Sequence, residues 1–342
     1  MNKVYLIYFK PGKLKISGRI LKLFLLIAGI VLTVPCLSQQ LPLYSQYVMN
    51  KFLINPAVAG SEGYTSFNLT AREQWIGFKD SPKTHALSVQ TRILKNSFIA
   101  KSASVKYNKT PGSRSGKVGL GGYVFNDRTG LVSRTGFQFT YAYHIFIRKG
   151  QLSFGLTGMA YQFKVDREKL RLYEENDDLI NNFDNTLIIP DADFGVYYSD
   201  PKFYVGISAA QLFQSSLKFG KRGYENYRLK RHYYLMSGYN IDINDDIIIV
   251  PHILLKTSET PSMQMDLGAS IFFKEDYWGG LAFRTGSAFV VMGGVKVDKF
   301  YIGYAFDYNL SSIQRHSYGS HEFMIALKLG DNARRYRWLI RY

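Results

Sequence analysis

The sequence predicts an all-β protein, a transmembrane antiparallel β-barrel of about fourteen strands and of the outer-membrane type. Three observations predict it. Apolar residues recur at every second position, most of these stretches are 9 to 13 residues long, and their second face carries small or polar residues with few charges. Period two is the strand signal, and about 9 to 11 residues is the length of a tilted strand that crosses a bilayer.

The alternation is clearest in the stretch 137–147, FQFTYAYHIFI. Every odd position in it is aromatic or aliphatic, whereas Gln138, Thr140 and His144 lie on the other face. The stretch 300–310, FYIGYAFDYNL, repeats the pattern. Successive side chains of a strand point to opposite faces, so each stretch has one apolar face and one polar face.

The composition of the polar face excludes a soluble β-sandwich. In the stretch 152–157, LSFGLT, Leu and Phe alternate with Ser, Gly and Thr rather than with charged residues. A small, Gly-rich polar face suits a crowded and wet interior, while a large aromatic face suits lipid. No open sheet edge can remain unpaired in hydrocarbon, so the strands must close into a barrel.

Fourteen stretches carry this strand pattern. They lie at 63–71, 84–94, 117–126, 133–147, 151–165, 192–200, 203–213, 231–241, 246–257, 262–274, 277–285, 288–298, 300–310 and 320–330. The sequence therefore predicts a transmembrane barrel over residues 63–330.

The links between these strands fall into two classes. Tight links lie at 148–150, 199–202, 242–245, 275–276 and 298–299. Long polar links lie at 166–191, 214–230 and 311–319. In outer-membrane barrels the short turns face the periplasm and the long loops face outward. The long, basic link 95–116 falls on the short-turn side, so either the strand count is wrong by one hairpin there or this link is a periplasmic contact loop.

Residues 1–38 read as a signal peptide that is cleaved after Ser38. They contain six basic residues, no acidic residue, a ten-residue apolar run at 23–32 and small residues before the cut. The run is half of the ~20 residues that a spanning helix needs. Cys36 raises the alternative of a lipoprotein, but Pro35 directly before it argues against that processing. The mature chain would then have no cysteine and no disulfide.

The net charge argues for an anionic partner at the cell envelope. The leader carries six of the 43 basic residues and none of the 26 acidic ones, so its removal changes the net charge from +17 to +11. A basic protein can bind nucleic acid, but export excludes that partner. Anionic envelope surfaces or a partner protein are the expected counter-charges.

Three motifs in order resemble a known family. They are LYSQYVMNKFLINPAVAGSEG at 43–63, REQWIGFKDSPKTHALS at 72–88 and GLGGYVFNDRTGLVSRTGFQFTYAYHI at 119–145. Together they resemble the PorP/SprF family of type IX secretion system outer-membrane proteins, over essentially the whole mature chain. The positions that match the family pattern are Ser45, Gln46, Tyr47, Asn50, Asn55, Pro56, Ala57, Gly60, Arg72, Gln74, Trp75, Gly77, Phe78, Asn126, Asp127 and Gly130.

This resemblance implies a barrel in the outer membrane that is needed for export or surface anchoring of a large adhesin. The partners that it implies are outer-membrane lipid, other type IX secretion components and the C-terminal sorting domain of a secreted adhesin. The basic tail 331–342, DNARRYRWLIRY, departs from the family pattern. With the link 95–116 it would face the periplasm, either as a docking surface for a periplasmic or cell-wall partner or as a solvated end.

Residues 39–62 precede the first strand and are rich in Tyr, Asn and Gln. Such a composition suits a polar lumen better than lipid, and a fourteen-stranded barrel is wide enough to hold a plug. Our hypothesis is that this segment folds into the lumen and narrows it, with Asn55 and Pro56 making the turn.

Few charged residues occupy the strand positions whose side chains alternate towards the lumen. They are Arg92, Asp193, Asp266, Arg284, Asp307, Glu322 and Lys328. They either form a polar contact set for a plug or ligand, or pair with one another because an unpaired charge in a narrow lumen is costly. Trp75 and Phe78 lie in the first outward loop, where they either hold a partner or belong to the aromatic belt of the membrane interface.

An enzyme is not expected, and neither is a cofactor or metal. The six His residues lack the spacing of metal sites, and no nucleophile and base can be placed together. The Gly-rich stretch GLGGYVF is not followed by a helix, which a phosphate loop requires. The alternative function is a passive outer-membrane channel, of the porin or hydrophobic-solute type, that would conduct without a partner.

Overall fold

The computed structural model describes residues 42, 44–93, 117–147, 150–166, 186–214, 216–217, 227–259, 262–274 and 276–329. The predicted leader 1–38, the link 95–116 and the tail 331–342 lie outside these residues. Seventeen strands occur in the described part of the chain. They are β1 Thr65–Glu73, β2 Lys83–Ile93, β3 Val118–Thr129, β4 Val132–Ile147, β5 Gly150–Val165, β6 Thr186–Ser199, β7 Phe203–Ala210, β8 Ser216–Leu217, β9 Tyr227–Arg228, β10 His232–Tyr239, β11 Ile241–Asn244, β12 Ile247–Ser258, β13 Met263–Phe273, β14 Tyr277–Arg284, β15 Ala288–Val297, β16 Phe300–Asn309 and β17 Ser320–Leu329.

The strands form a closed antiparallel barrel. Neighbours in the chain are neighbours in the sheet, and β1 pairs with β17 from Thr65 opposite Leu329 to Glu73 opposite His321, which closes the ring. Strand β11 continues β10 after Asn240, while β8 and β9 form a separate ribbon. Within the described residues the wall therefore has fourteen strands, and the predicted fold class is confirmed.

Each predicted strand overlaps one wall strand, but some boundaries differ. Strand β6 begins at Thr186 rather than at 192, because its first residues pair with β5 although Pro190 and Asp191 interrupt the simple alternation. The idea of a missing hairpin near 95–116 is wrong for the wall, since β2 and β3 pair directly from Lys83 opposite Arg128 to Ile93 opposite Val118.

The two ends of the barrel differ. One end, here called the turn end, carries the links β4–β5, β6–β7, β11–β12, β13–β14 and β15–β16, each of three residues or fewer. The other, the loop end, carries the longer links 74–82, 166–185, 211–231 and 310–319. Strand β1 starts at the turn end, so the residues just before it enter the wall from that side.

The two faces of the wall follow the period-two pattern. Large apolar side chains such as Phe139, Leu156 and Ile207 are exposed on the outer face, whereas Ser153 and Thr157 are buried on the inner face. An apolar outer surface of this kind requires lipid, and a polar inner surface requires hydrogen-bond partners. The groups that supply these hydrogen-bond partners form the candidate site.

Candidate functional site

Residues 44–61, here called the lumen segment, lie inside the ring of strands. The segment consists of a turn followed by two short 3-10 turns, Lys51–Leu53 and Pro56–Val58, and most of its side chains are buried. It contacts opposite sides of the wall: Tyr47 Oη lies 2.8 Å from His252 Nδ1 of β12, and Asn50 Nδ2 donates to Ser88 Oγ of β2 at 3.0 Å. A segment that bonds to both sides fills the space between them.

Asn55 shapes the middle of the lumen segment. Its Oδ1 accepts a hydrogen bond from Ala57 N at 2.9 Å, which caps the second 3-10 turn, and Pro56 occupies the first position where no N–H is needed. Asn55 Nδ2 donates to Val196 O at 3.0 Å and to Ile207 O at 3.2 Å. One amide therefore caps the start of a turn and joins the segment to β6 and β7.

At the loop end, the lumen segment is held by buried charges. Arg72 Nη2 and Arg284 Nη1 lie 2.6 and 2.9 Å from Asp307 Oδ2, and Arg72 Nη1 lies 3.2 Å from Glu322 Oε2. Ser45 Oγ donates to Asp307 Oδ1 at 2.7 Å, and its backbone N donates to Glu322 Oε2 at 2.7 Å. The four charged side chains are about 2% exposed or less.

Asp266 completes this group, since its Oδ2 lies 2.9 Å from Arg284 Nη2. Three carboxylates and two guanidinium groups thus come together from β1, β13, β14, β16 and β17. The interpretation that lumen charges pair with one another is confirmed for Asp266, Arg284 and Asp307, whereas Glu322 pairs with Arg72, which was not among the charges assigned to the lumen. We call the five charged residues, with Ser45, the loop-end cluster.

At the turn end, the buried guanidinium group of Arg92 and the imidazole of His144 hold the other end of the segment. Arg92 Nε donates to Gly60 O and Arg92 Nη2 to Ser61 O, both at 2.8 Å, and Nη2 also reaches Gln151 Oε1 at 2.6 Å. His144 Nε2 lies 3.0 Å from Ala59 O. Buried carbonyl groups that would otherwise lack partners are satisfied here by the wall.

Glycine residues of the wall make room for the segment. A Cβ atom at Gly155 would collide with the backbone of Pro56 and Ala57, and one at Gly119 would collide with Ala59 O. Backbone atoms cannot move aside as a flexible side chain can, so these positions require glycine for space rather than for an unusual φ.

The residues that the sequence singled out divide into three groups. Gln46, Tyr47, Asn50, Asn55, Pro56, Gly60 and Arg72 meet inside the lumen. Gln74, Trp75, Gly77 and Phe78 lie in the β1–β2 loop, where Phe78 is exposed and Ile76 exchanges backbone hydrogen bonds with Tyr318 and Gly319. Asn126 and Asp127 lie near the loop end of β3, and only Asp127 points inward.

Asp127 forms a second buried contact group. It accepts hydrogen bonds from Thr84 Oγ1 at 2.7 Å and Arg134 Nη2 at 2.6 Å, whereas Asn126 bonds to Thr135 on an exposed face. His144, Gln151 and His252 also contact this interior but were not among the sequence-selected residues. Their positions on the inward-facing side of the strand alternation could have indicated that they face the lumen. The lumen residues that they contact could not be predicted, because those residues lie far away in the sequence.

The described residues contain no metal centre, since no group of three or more His, Cys, Asp or Glu is arranged to hold an ion there. Helices of the described part are all too short or too polar to cross a membrane. A cavity of about 30 Å³ lies beside the lumen segment, lined by Tyr44, Leu53, Lys256 and Asp266 among others. This volume suits water rather than an organic ligand.

These features define a class: an outer-membrane β-barrel whose lumen is occupied by its own N-terminal segment. The chain belongs to the PorP/SprF family, because the family described as type IX secretion system membrane protein PorP/SprF matches residues 36–327. No curated protein matches the chain.

The solved structures with a similar fold include outer-membrane proteins of low sequence identity. The toluene transporter TbuX of Ralstonia pickettii is 11% identical, with 81% of this chain and 92% of that chain covered and a TM-score of 0.46. The outer membrane protein Omp33 of Acinetobacter baumannii is 7% identical, with 78% and 97% covered and a TM-score of 0.42. These likenesses are too distant for any conclusion about what this chain transports or binds.

We expect Asp307→Asn to destabilise the barrel by about 3–5 kcal/mol, because it leaves buried guanidinium groups without their carboxylate. The free energy of unfolding is measured by titration with urea, and the folded fraction is monitored through the different gel mobility of folded and unfolded barrels. Glu73→Gln is the control, since its pair with Lys83 is largely exposed and worth about 1 kcal/mol at most. Equal effects of the two substitutions would contradict a central role for the loop-end cluster.

We expect Gly155→Ala to cost about 1–3 kcal/mol through overpacking against the lumen segment. Gly158→Ala, three residues along the same strand, has nothing within 4 Å of the new Cβ and should be close to neutral. The same urea titration compares them. If both variants unfold at the same urea concentration as the parent, the close approach of the segment to β5 does not restrict the residue at position 155.

Proposed function

We propose that the protein is the outer-membrane barrel component of a type IX secretion system that is needed for export or surface anchoring of a large adhesin. The observation that carries this proposal is the occupied lumen. A segment bonded to the wall at the loop end by Ser45 and at the turn end by Gly60 and Ser61 leaves the rims of the barrel, rather than a pore, as its working surfaces. Membership of the family supports the same role.

The proposed partners follow from this role. They are outer-membrane lipid around the wall, other type IX secretion components, and the C-terminal sorting domain of the adhesin. The short turns face the periplasm in this proposal, as in other outer-membrane barrels, and the leader 1–38 is removed on export. The turn end is then the surface for a periplasmic or cell-wall partner, and Phe78 belongs to the outward rim.

Purification from detergent-solubilised outer membranes tests the proposal. With a tag inserted in the link 214–230, we expect other type IX components or a large surface protein to co-purify at near-stoichiometric yield. The matched control is the same chain with a tag in the β14–β15 link. If the barrel is recovered alone with either tag and conducts ions in planar bilayers, the passive-channel alternative replaces this proposal.

Deletion of residues 41–58 tests the occupied lumen separately. We expect this deletion to raise the single-channel conductance in planar bilayers, because it removes the buried segment and leaves the polar inner face to water. The Glu73→Gln variant, altered only on the exposed side, should conduct as the parent does. Unchanged conductance after the deletion would show that the segment does not block the barrel.

A further inference from the structure

Strand β11 presents an unpaired backbone edge at the turn end. It stands last in the order of the barrel sheet and pairs with β12, starting with Ile241 opposite Ile249. On its other side, the pairing of β10 with β7 stops at Tyr239, and Asn240 N makes the last contact by donating to Lys202 O at 2.6 Å. Among the described strands, none pairs with this second side of β11, so its backbone groups are available to another extended segment.

Three exposed carboxylates lie on this edge or directly after it, those of Asp242, Asp245 and Asp246. In the part of the chain that the structure describes, no ion pair involves them. Lys274 of the neighbouring turn donates its backbone N–H to Asp246 O at 2.8 Å, but its Nζ lies over the ring of Phe273, 5.4 Å from the centroid. No described side chain therefore neutralises the negative charge of the edge.

The acidic character is specific to this hairpin. Its link consists of Asp245 and Asp246, whereas each of the other four tight links contains at least one Lys or Arg. Those four read RK at 148–149, DPK at 200–202, KED at 274–276 and DK at 298–299. In a chain whose net charge is +17, this hairpin is a local place on the rim that attracts a basic partner.

An unpaired strand edge is a template for another extended segment, in which main-chain hydrogen bonds give affinity and alternate side chains give specificity. Ile241 and Ile243 are 41% and 54% exposed, so apolar side chains of an added strand would cover them. Lys or Arg at the alternate positions would meet the carboxylates, because opposite charges on neighbouring strands stabilise a pair.

The charges also decide which occupant fits. The same edge of a second copy would bring carboxylate towards carboxylate, and like charges oppose strand pairing. We propose that β11 docks an extended, basic segment of a periplasmic partner, which adds to the barrel sheet as one further strand. This rests on the proposed function, because only an orientation with the turn end in the periplasm brings such a partner to the edge.

The contact is short. Strand β11 has four residues, and its register shifts between Asp242 and Asn244, where a bulge interrupts the ladder. At about 3.3 Å per residue, a segment of about four to six residues covers the edge. With so few main-chain hydrogen bonds, the charges decide which segment binds.

Peptide binding to the full chain in lipid nanodiscs tests the proposal. The probe is a fluorescent octapeptide that alternates lysine and valine, and its affinity is measured by anisotropy at low salt. We expect it to bind about ten-fold more tightly than a glutamate–valine octapeptide, and than a lysine–valine octapeptide whose amides are all N-methylated. The methylated peptide keeps the charge and lacks the N–H donors, so equal affinities would overturn strand addition.

Charge reversal tests the place of binding. We expect Asp242→Lys to weaken the binding of the lysine–valine peptide about five-fold, because it puts a like charge on the edge. Asp276→Lys is the matched control, since it makes the same change of charge at an exposed position of another turn at this end, and it should leave the affinity nearly unchanged. Equal effects would show that the peptide binds the rim through charge alone and would overturn the proposal.

Hydrogen exchange followed by mass spectrometry locates the bound peptide. We expect slower amide exchange over 240–246 in its presence and no change over 274–277. Two results would assign the edge to another occupant and overturn the proposal: peptide binding only after the chain is shortened to Leu329, or a dimer of barrels that the peptide dissociates. The assay contains no secretion component, so its failure and a failure to co-purify type IX components are separate results.

Discussion

The carboxylate of Asp307 is the point on which the interior depends. Two guanidinium groups, from Arg72 and Arg284, share this one acceptor, and Ser45 of the lumen segment donates to it as well. Water is almost excluded there, and a buried charge that loses its partner costs several kcal/mol, about 3–5. The position of the segment and the closure of β1 on β17 are thereby coupled, because Arg72 belongs to the closing strand.

The rest of the lumen is complementary to the segment in shape. Small residues on the inner face allow backbone to approach backbone, as Gly155 does with Ala57, and polar side chains such as Arg92 and His144 satisfy the carbonyl groups that this approach buries. Irregular backbone is tolerated at membrane depth only where protein or water meets its hydrogen bonds. Here the wall meets them, so the segment needs no regular structure of its own.

A barrel with an occupied interior presents its two rims to other molecules. The loop end offers Phe78 and Tyr318 on two loops that are joined by the backbone of Ile76. The turn end offers the acidic edge of β11 in an otherwise basic chain. The occupied lumen is the reason that we favour a role in assembly over one in passive transport, and the two rims differ in the groups that they expose.

The sequence by itself determined the wall. Period two, strand length and the order of tight and long links depend on neighbouring residues, so fourteen strands and their inner faces were predictable, and the polar composition of 39–62 pointed to the lumen. Arg72 stood out only through the family resemblance. Its partners Asp307 and Glu322 lie 235 and 250 residues away, and no local pattern records a pairing across that separation. Only the closed barrel brings these groups together, and only its register leaves one edge of β11 without a partner among the described strands, because both depend on how distant strands align.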